Sequence, residues 1–355
     1  MKPYIYLRAL KHADFTVFCV QDGQKTYWDE QFHRQVPFSS GQQVKRSILA
    51  TLTDLLNVRP SPTTFVAEVD KNNKLSDKEP HSSCDPTYID QLFGGWMRAS
   101  AGGKEKTLKR RSPLSISAMR ALHPLLTDVS RENLSFDRSS NVEYNKVIVK
   151  GPDGKELDNE QILQLLEGTD RSLYRRWIPE QKRATGLFVY DIAIDLRTLF
   201  CVSLNSFERE ISDEIIEKLK ERGWNEGNNV FGRCLIMPKV QRDMIIPALA
   251  EALVEWRITS NQARTFSLME TLAVAISDNA NTLASTIRAK LIEDGEKSKA
   301  KPIVDENTKA DVFVSLACAN YIVTESESAD AIEQAKKKLI GLMMAFNYDN
   351  QVLPQ

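Results

Sequence analysis

Residues 187–196 read LFVYDIAIDL. Successive side chains of an extended chain point to opposite faces. Phe188, Tyr190, Ile192 and Ile194 therefore share one face, and Val189, Asp191, Ala193 and Asp195 share the other. One face is wholly apolar and the other carries two carboxylates, which predicts a strand lying with its apolar side on a core. On its C-terminal side the pattern predicts helices at Ser212–Arg222 and from about Val240 to Trp256, the second kinked or broken at Pro247. A strand at Leu272–Ile276 follows, then a mixture of helix and charged loop over 278–304, an apolar stretch Asp311–Ala319, and a helix from Ala329 to about Phe346.

On the N-terminal side, Tyr4–Val20 reads as one or two strands broken near Lys11–Asp14, with Asp22-Gly23 as a hairpin turn. Val44, Ile48, Leu49, Leu52, Leu55 and Leu56 make one helical stripe. Ser39 or Ser40 can cap that helix, and Pro60 and Pro62 end it. A short strand is expected at Thr64–Val69. Residues 70–142 are polar and then basic, an insertion with little regular core of its own. Tyr144–Lys150 returns to strand chemistry, and 152–186 is a second, smaller polar insertion with a short helix around Glu160–Leu166. Strands that alternate with helices and resume after insertions define an α+β or α/β class.

The chain has 355 residues, 47 Lys+Arg against 48 Asp+Glu, and a net charge of −1. That excludes a globally basic protein but not a local basic patch. The length suffices for a sizeable core without disulfides or metals. No apolar run is long enough for a membrane helix, and Arg8, Lys11 and His12 interrupt the N-terminal stretch where a leader would be apolar, so a cytoplasmic protein is expected. The five cysteines and four histidines are scattered, without CxxC or HxxxH spacing, and read as reduced thiols and structural imidazoles. No phosphate loop, nucleophile elbow or dinucleotide fingerprint occurs, so no cofactor is expected. Asp191 and Asp195 share a strand face but stand about 13 Å apart, too far for a two-metal centre at about 4 Å. Asp14, in the expected break, is either a turn former or an exposed acid.

Three basic clusters stand out. Gln42, Lys45 and Arg46 occupy the first turns of the helix, where cations oppose its macrodipole unless an anion binds there. The stretch 98–120 holds Arg98, Lys104, Lys106, Lys109, Arg110, Arg111 and Arg120 against the single acid Glu105, a local charge of +6, flanked by Trp96, Met97 and Met119. Arg171, Arg175, Arg176, Lys182 and Arg183 interleave with Tyr174 and Trp177. Basic and aromatic residues together suit single-stranded nucleic acid. Each cluster also reads as a solvated surface or a packed loop, as does Arg257–Arg264.

Phe38-Ser39-Ser40-Gly41-Gln42-Gln43-Val44-Lys45-Arg46-Ser47, with one extra residue near Gly41–Gln43, is similar to the "ISSQSLKRA" helix start of the CRISPR Cascade backbone subunit family (CasC/DevR-type), and further motifs resemble that family in order. Phe93-Gly94-Gly95-Trp96-Met97, then Arg110-Arg111-Ser112-Pro113-Leu114-Ser115-Ile116-Ser117, resembles its "FGxM … R(R)xxLxxS" segment, and Met119–Pro124 its run toward a proline. Gly186–Leu196 looks like its long central strand, and Asn261-Gln262-Ala263-Arg264-Thr265-Phe266 like its "GNHARS/AKQRTY" loop. The matches span about 35–275, and nothing beyond about 280 corresponds.

The resemblance implies an α+β fold with an RRM-like (ferredoxin-like) palm carrying fingers and thumb insertions. Its divisions would be palm at 1–69, fingers at 70–142, a palm strand at 143–150, thumb at 151–186, and the rest of the palm with C-terminal helices at 187–355. It also implies a non-catalytic subunit without metal. Its partners would be crRNA, the target DNA strand, other copies of itself and other Cascade-type subunits, and no membrane. Carried over, Ser40, Gln42, Lys45 and Arg46 would hold RNA phosphates, with Arg264 beside them. Met97, Arg98, Lys109, Arg110 and Arg111 would contribute from the fingers. Tyr174, Arg175, Arg176 and Trp177 are thumb candidates by composition. The alternatives are an RNA-cleaving relative that uses Asp14, and a general single-strand RNA-binding protein.

Overall fold

The computed structural model describes the chain except residues 1, 20–22, 70, 72, 99–106, 138, 260–265, 293–297, 323 and 352–355. Two compact units result: Met1–Asp128 with Ala184–Gln355, and Val129–Arg183. In chain order the larger unit contains β1 (Tyr4–Thr16), β2 (Arg34–Ser39), α1 (Gly41–Leu55), α2 (Ile89–Gly94), β3 (Trp96–Arg98), β4 (Leu108–Arg110), β5 (Leu114–Ile116) and β6 (Met119–Ala121). It continues with the end of β7 (Arg175–Asp195), then α3 (Lys239–Glu255), β8 (Thr271–Ser277), α4 (Ala280–Thr286), β9 (Ile287–Ile292), β10 (Lys299–Val304), β11 (Asp311–Ser315) and α5 (Ala331–Met344).

The fold is mixed α/β around one large, mostly antiparallel sheet. Its order is Thr26–Asp29, β2, β6, β7, β1, β8, β11 and Glu327–Ser328, with β5 also paired to β7. β1 is the hub: Tyr6 lies opposite Ala193 of β7 and opposite Ser277 of β8. It is one strand where the sequence predicts a break. A bulge between Ala13 and Thr16, with Phe15 at φ 42°, absorbs the irregularity without ending the pairing.

The alternation in β7 sets the two faces. Phe188, Tyr190, Ile192 and Ile194 enter the larger core with Ile5, Leu7 and Ala9 of β1. That core is covered by Val44, Ile48 and Leu52 of α1, Leu249 and Leu253 of α3, and Leu339 and Met343 of α5. The other face carries a smaller core, where Leu10, Leu187, Ala273 and Ala275 meet Leu283 of α4, Ile287 of β9 and Val304 of β10. All five cysteines are buried and free. α3 runs through Pro247 unbroken.

Three expectations are corrected. Within 278–304 the expected helix is α4, but Ile287–Ile292 and Lys299–Val304 pair as strands β9 and β10 where charged loop is expected. The 143–150 palm strand is absent: Ser139–Tyr144 is a 3-10 turn, and Lys150 makes one bridge, to Glu156. Val147–Val149 has strand propensity but no strand to pair with, and propensity without pairing does not hold a strand. The division is also different. β5 and β6, inside the expected 70–142 insertion, pair with the central strand β7 and belong to the larger unit, while Val129–Arg183 forms the smaller one. Thr64–Val69 splits into short pieces, and Asp22 of the expected turn lies outside the described residues.

In the smaller unit, Thr127–Asp137 pairs with β7, tied by Arg183 to Glu132 at 3.1 Å and by Arg175 to Asp137 at 2.7 Å. The helix Asn159–Leu166 starts on a capping box between Asp158 and Gln161.

Candidate nucleic-acid interface

α1 starts where the sequence places it. The Ser40 hydroxyl accepts from the Gln43 N–H at 3.3 Å, a cap worth ~1 kcal/mol. Ser39 turns inward and donates to the Phe18 carbonyl. Gly41 lies against the link between β5 and β6: a Cβ there would stand 3.0 Å from the Ile116 carbonyl oxygen. The extra residue relative to the resembled motif thus falls at a close backbone approach. The apolar stripe of α1 faces the core, which turns Gln42 and Arg46 to solvent and leaves Lys45 half-buried. No acid stands in the first turn. Burial, and then the charge of Arg110, push the Lys45 pKa down to about 8. Among the described residues, neither Lys45 nor Arg46 meets a carboxylate. Cations without a carboxylate at a helix start stand where the macrodipole favours an anion.

β3 and β4 form a hairpin with Trp96 opposite Arg110, Met97 opposite Lys109, and Arg98 opposite Leu108. Met97 and Lys109 share the outward face; Lys109 reaches Glu208 at 3.3 Å, and Met97, Arg98 and Arg111 are exposed. Arg110 is the correction among the expected RNA contacts. It is buried, donating to the carbonyls of Leu92, Thr198 and Cys201, with Glu210 at 3.7 Å and the Trp96 ring centroid at 5.5 Å. Strand parity decides this: Arg110 shares a face with Trp96, and that face is inward. Gly95 allows the turn into β3, at φ 73° with the Arg110 carbonyl 2.5 Å from where a Cβ would stand.

In the smaller unit, Arg171, Arg175 and Arg176 line a shallow polar recess with Asp170 and Ser172. Tyr174 is half-buried, and Arg175 is exposed but paired with Asp137. The Trp177 side chain and Arg264 lie outside the described residues.

Two of the three acids considered for catalysis are held in ion pairs. Asp191 sits between Arg8 at 2.6 Å and Arg120 at 2.9 Å. Burial alone would raise its pKa, but the hydrogen bonds and charges of those arginines hold it below the usual range. Asp195 binds Arg197 at 2.8 Å. Asp14 is exposed at the bulge and accepts from the Thr185 hydroxyl at 3.3 Å. Among the described residues, no three His, Cys, Asp or Glu side chains are placed to hold a metal. Nor is any helix among them long and apolar enough to cross a membrane. The Arg8–Asp191–Arg120 cluster escaped the sequence reading, though Arg8 stands at an alternate position of a legible strand.

No protein-family model matches the chain, and no curated protein matches it. Among solved structures it is similar to a chain of a "CRISPR RNA-guided surveillance complex", at 11% identity and a TM-score of 0.41, over 94% of this chain and 99% of that one. It is also similar to a chain of a "CRISPR RNA-guided surveillance complex, pre-nicking", at 8% identity and a TM-score of 0.41, over 96% of this chain and 89% of that one. Those titles name the class of assembly that the sequence motifs resemble.

Proposed function

We propose that this chain is a non-catalytic, cytoplasmic, crRNA-binding backbone subunit, several copies of which stack along a guide RNA in a DNA-targeting, Cascade-like CRISPR effector. The observation that carries the reading is the start of α1, with Lys45 half-buried at a lowered pKa, Arg46 and Gln42 exposed, and no acid to answer them. An anion that docks there would offset the burial that penalises the charged form of Lys45. Phosphate contacts hold an RNA of any sequence, as a carrier of varied guides requires. The order of motifs from Phe38 to Phe266 supports the family assignment. The succession β1, α1, β5–β6, β7, α3, β8, with β7 and β8 flanking β1, supports the RRM-like palm. Met97 and Lys109 would add contacts from the fingers, and Arg171 and Arg176 from the thumb.

Purification from the native operon, with sequencing of any RNA that travels with the protein, tests this. A uniform RNA carrying CRISPR repeat sequence, with several protein copies on each, is the expected result. Heterogeneous cellular RNA would reduce the protein to a general RNA-binding module. Lys45→Ala with Arg46→Ala should lower the salt slope of RNA binding by ~1.4, at ~0.7 per single-strand phosphate contact; an unchanged slope removes α1 from the interface. Mg²⁺-dependent cleavage of complementary RNA, lost in Asp14→Ala, would replace the non-catalytic reading.

A further inference from the structure

The β9–β10 hairpin has two unlike faces. Ile287, Pro302 and Val304 turn inward, and Ile287 and Val304 join the smaller core with Leu122 and Leu126. The opposite face presents Arg288, Lys290, Lys299 and Lys301, all exposed. Lys290 stands directly across from Lys301. Like charges in that position destabilise a strand pair. Among the described residues only Arg288 has a carboxylate near it, Asp305 at 3.7 Å. Among the described residues, the ribbon therefore concentrates positive charge with a single carboxylate near it. Ile303 stands opposite Arg288 and Ile292 opposite Lys299, at the two ends of this face, both half-buried. Lys299 and Lys301 are two residues apart on one strand, about 7 Å, so successive ammonium groups form a row rather than a point.

We propose that this outer face of β9–β10 binds the phosphate backbone of a nucleic-acid strand. A row of cations matches a row of phosphates, and the isoleucines at its two ends are placed to meet sugars. The site is separate from α1: the hairpin packs on the smaller core of the sheet, and α1 on the larger core of the other face. It stands on its own observations and does not depend on the guide-RNA reading.

The test uses the full chain as purified, with fluorescence anisotropy of labelled oligothymidylate and oligouridylate over a salt series. Three proteins are compared: wild type, Lys290→Gln/Lys299→Gln/Lys301→Gln, and the same three positions changed to Arg. The Gln variant should lose about 2 from its log–log salt slope, at ~0.7 per contact. Its affinity should fall at least about tenfold at moderate salt, while the Arg variant stays within about threefold of wild type. Its melting temperature should not fall, because the facing like charges are gone. The single variant Lys290→Gln, with a slope loss of ~0.7, decides the matter should the triple variant not fold. Preference for one oligomer identifies the strand as DNA or RNA; equal binding establishes backbone contact alone. An unchanged slope in the Gln variants overturns the proposal. So does equally tight binding of polyglutamate, which would mark an acidic protein surface as the partner. Guide RNA retained by the Gln variant and lost from the Lys45/Arg46 variant keeps the two sites distinguishable.

Discussion

Two short hairpins of the larger unit, β3–β4 and β9–β10, both carry cations: the first turns Arg110 inward while Arg98 and Lys109 stay exposed, and the second turns its cations outward. β3–β4 sends Arg110 inward, where three carbonyls, a carboxylate and an indole surround it. β9–β10 sends Arg288, Lys290, Lys299 and Lys301 outward and fills its inner face with aliphatic residues. Local charge is therefore a poor guide to function. Parity along the strand, set by what each hairpin packs against, decides whether a cation holds the fold or meets a partner.

The largest effect that could break this comparison is Arg110→Ala. It strands the Leu92, Thr198 and Cys201 carbonyls and leaves Glu210 without its arginine, a loss of about 3–5 kcal/mol by urea denaturation. Arg111→Ala, one residue on and exposed, should cost under about 0.5 kcal/mol. Similar losses for both would mean that parity does not separate the two roles.

Lys11 sharpens the comparison from inside the core. It is buried beside Trp256, donating to the Met269 carbonyl at 3.0 Å and to the Thr271 hydroxyl at 2.9 Å. Burial, then the charge of Arg257, lower its pKa to about 7. A lysine with a lowered folded pKa sheds its proton in the native state before it does so in the unfolded chain. Stability should therefore rise as pH climbs from about 7 toward the ordinary lysine value, 10.5. Lys11→Met should flatten that rise, as read by denaturant midpoints across the range.

A smaller effect concerns α1. Lys45 must be charged to hold a phosphate, and without one its pKa is about 8. RNA affinity should weaken as pH passes that value, and Lys45→Arg should hold it steady. The least effect is on folding: Ser40→Ala should cost ~1 kcal/mol through the lost cap.

Much of this was legible in the residues. The alternation of Phe188–Ile194 and the stripe Val44–Leu52 each define an element by period alone, and both enter the core as read. Of the candidate interface, Gln42, Lys45 and Arg46 were legible because a helix start orients them. β5 and β6 were not, since three residues are too few to show a period; pairing to β7 makes them strands. β9–β10 was hidden because its lysines read as a charged loop, although Arg288/Lys290 and Lys299/Lys301 repeat at two-residue steps. The inward turn of Arg110 depends on Trp96 across the hairpin, a contact between segments that no local window contains.

The burial of all five thiols has a practical consequence. A sulfhydryl reagent finds no target on the folded chain, so its rate of reaction becomes a clock for transient opening of the core. A cysteine introduced on either hairpin would then be the one site labelled under native conditions. The two surfaces can thereby be tagged one at a time and watched as a strand arrives.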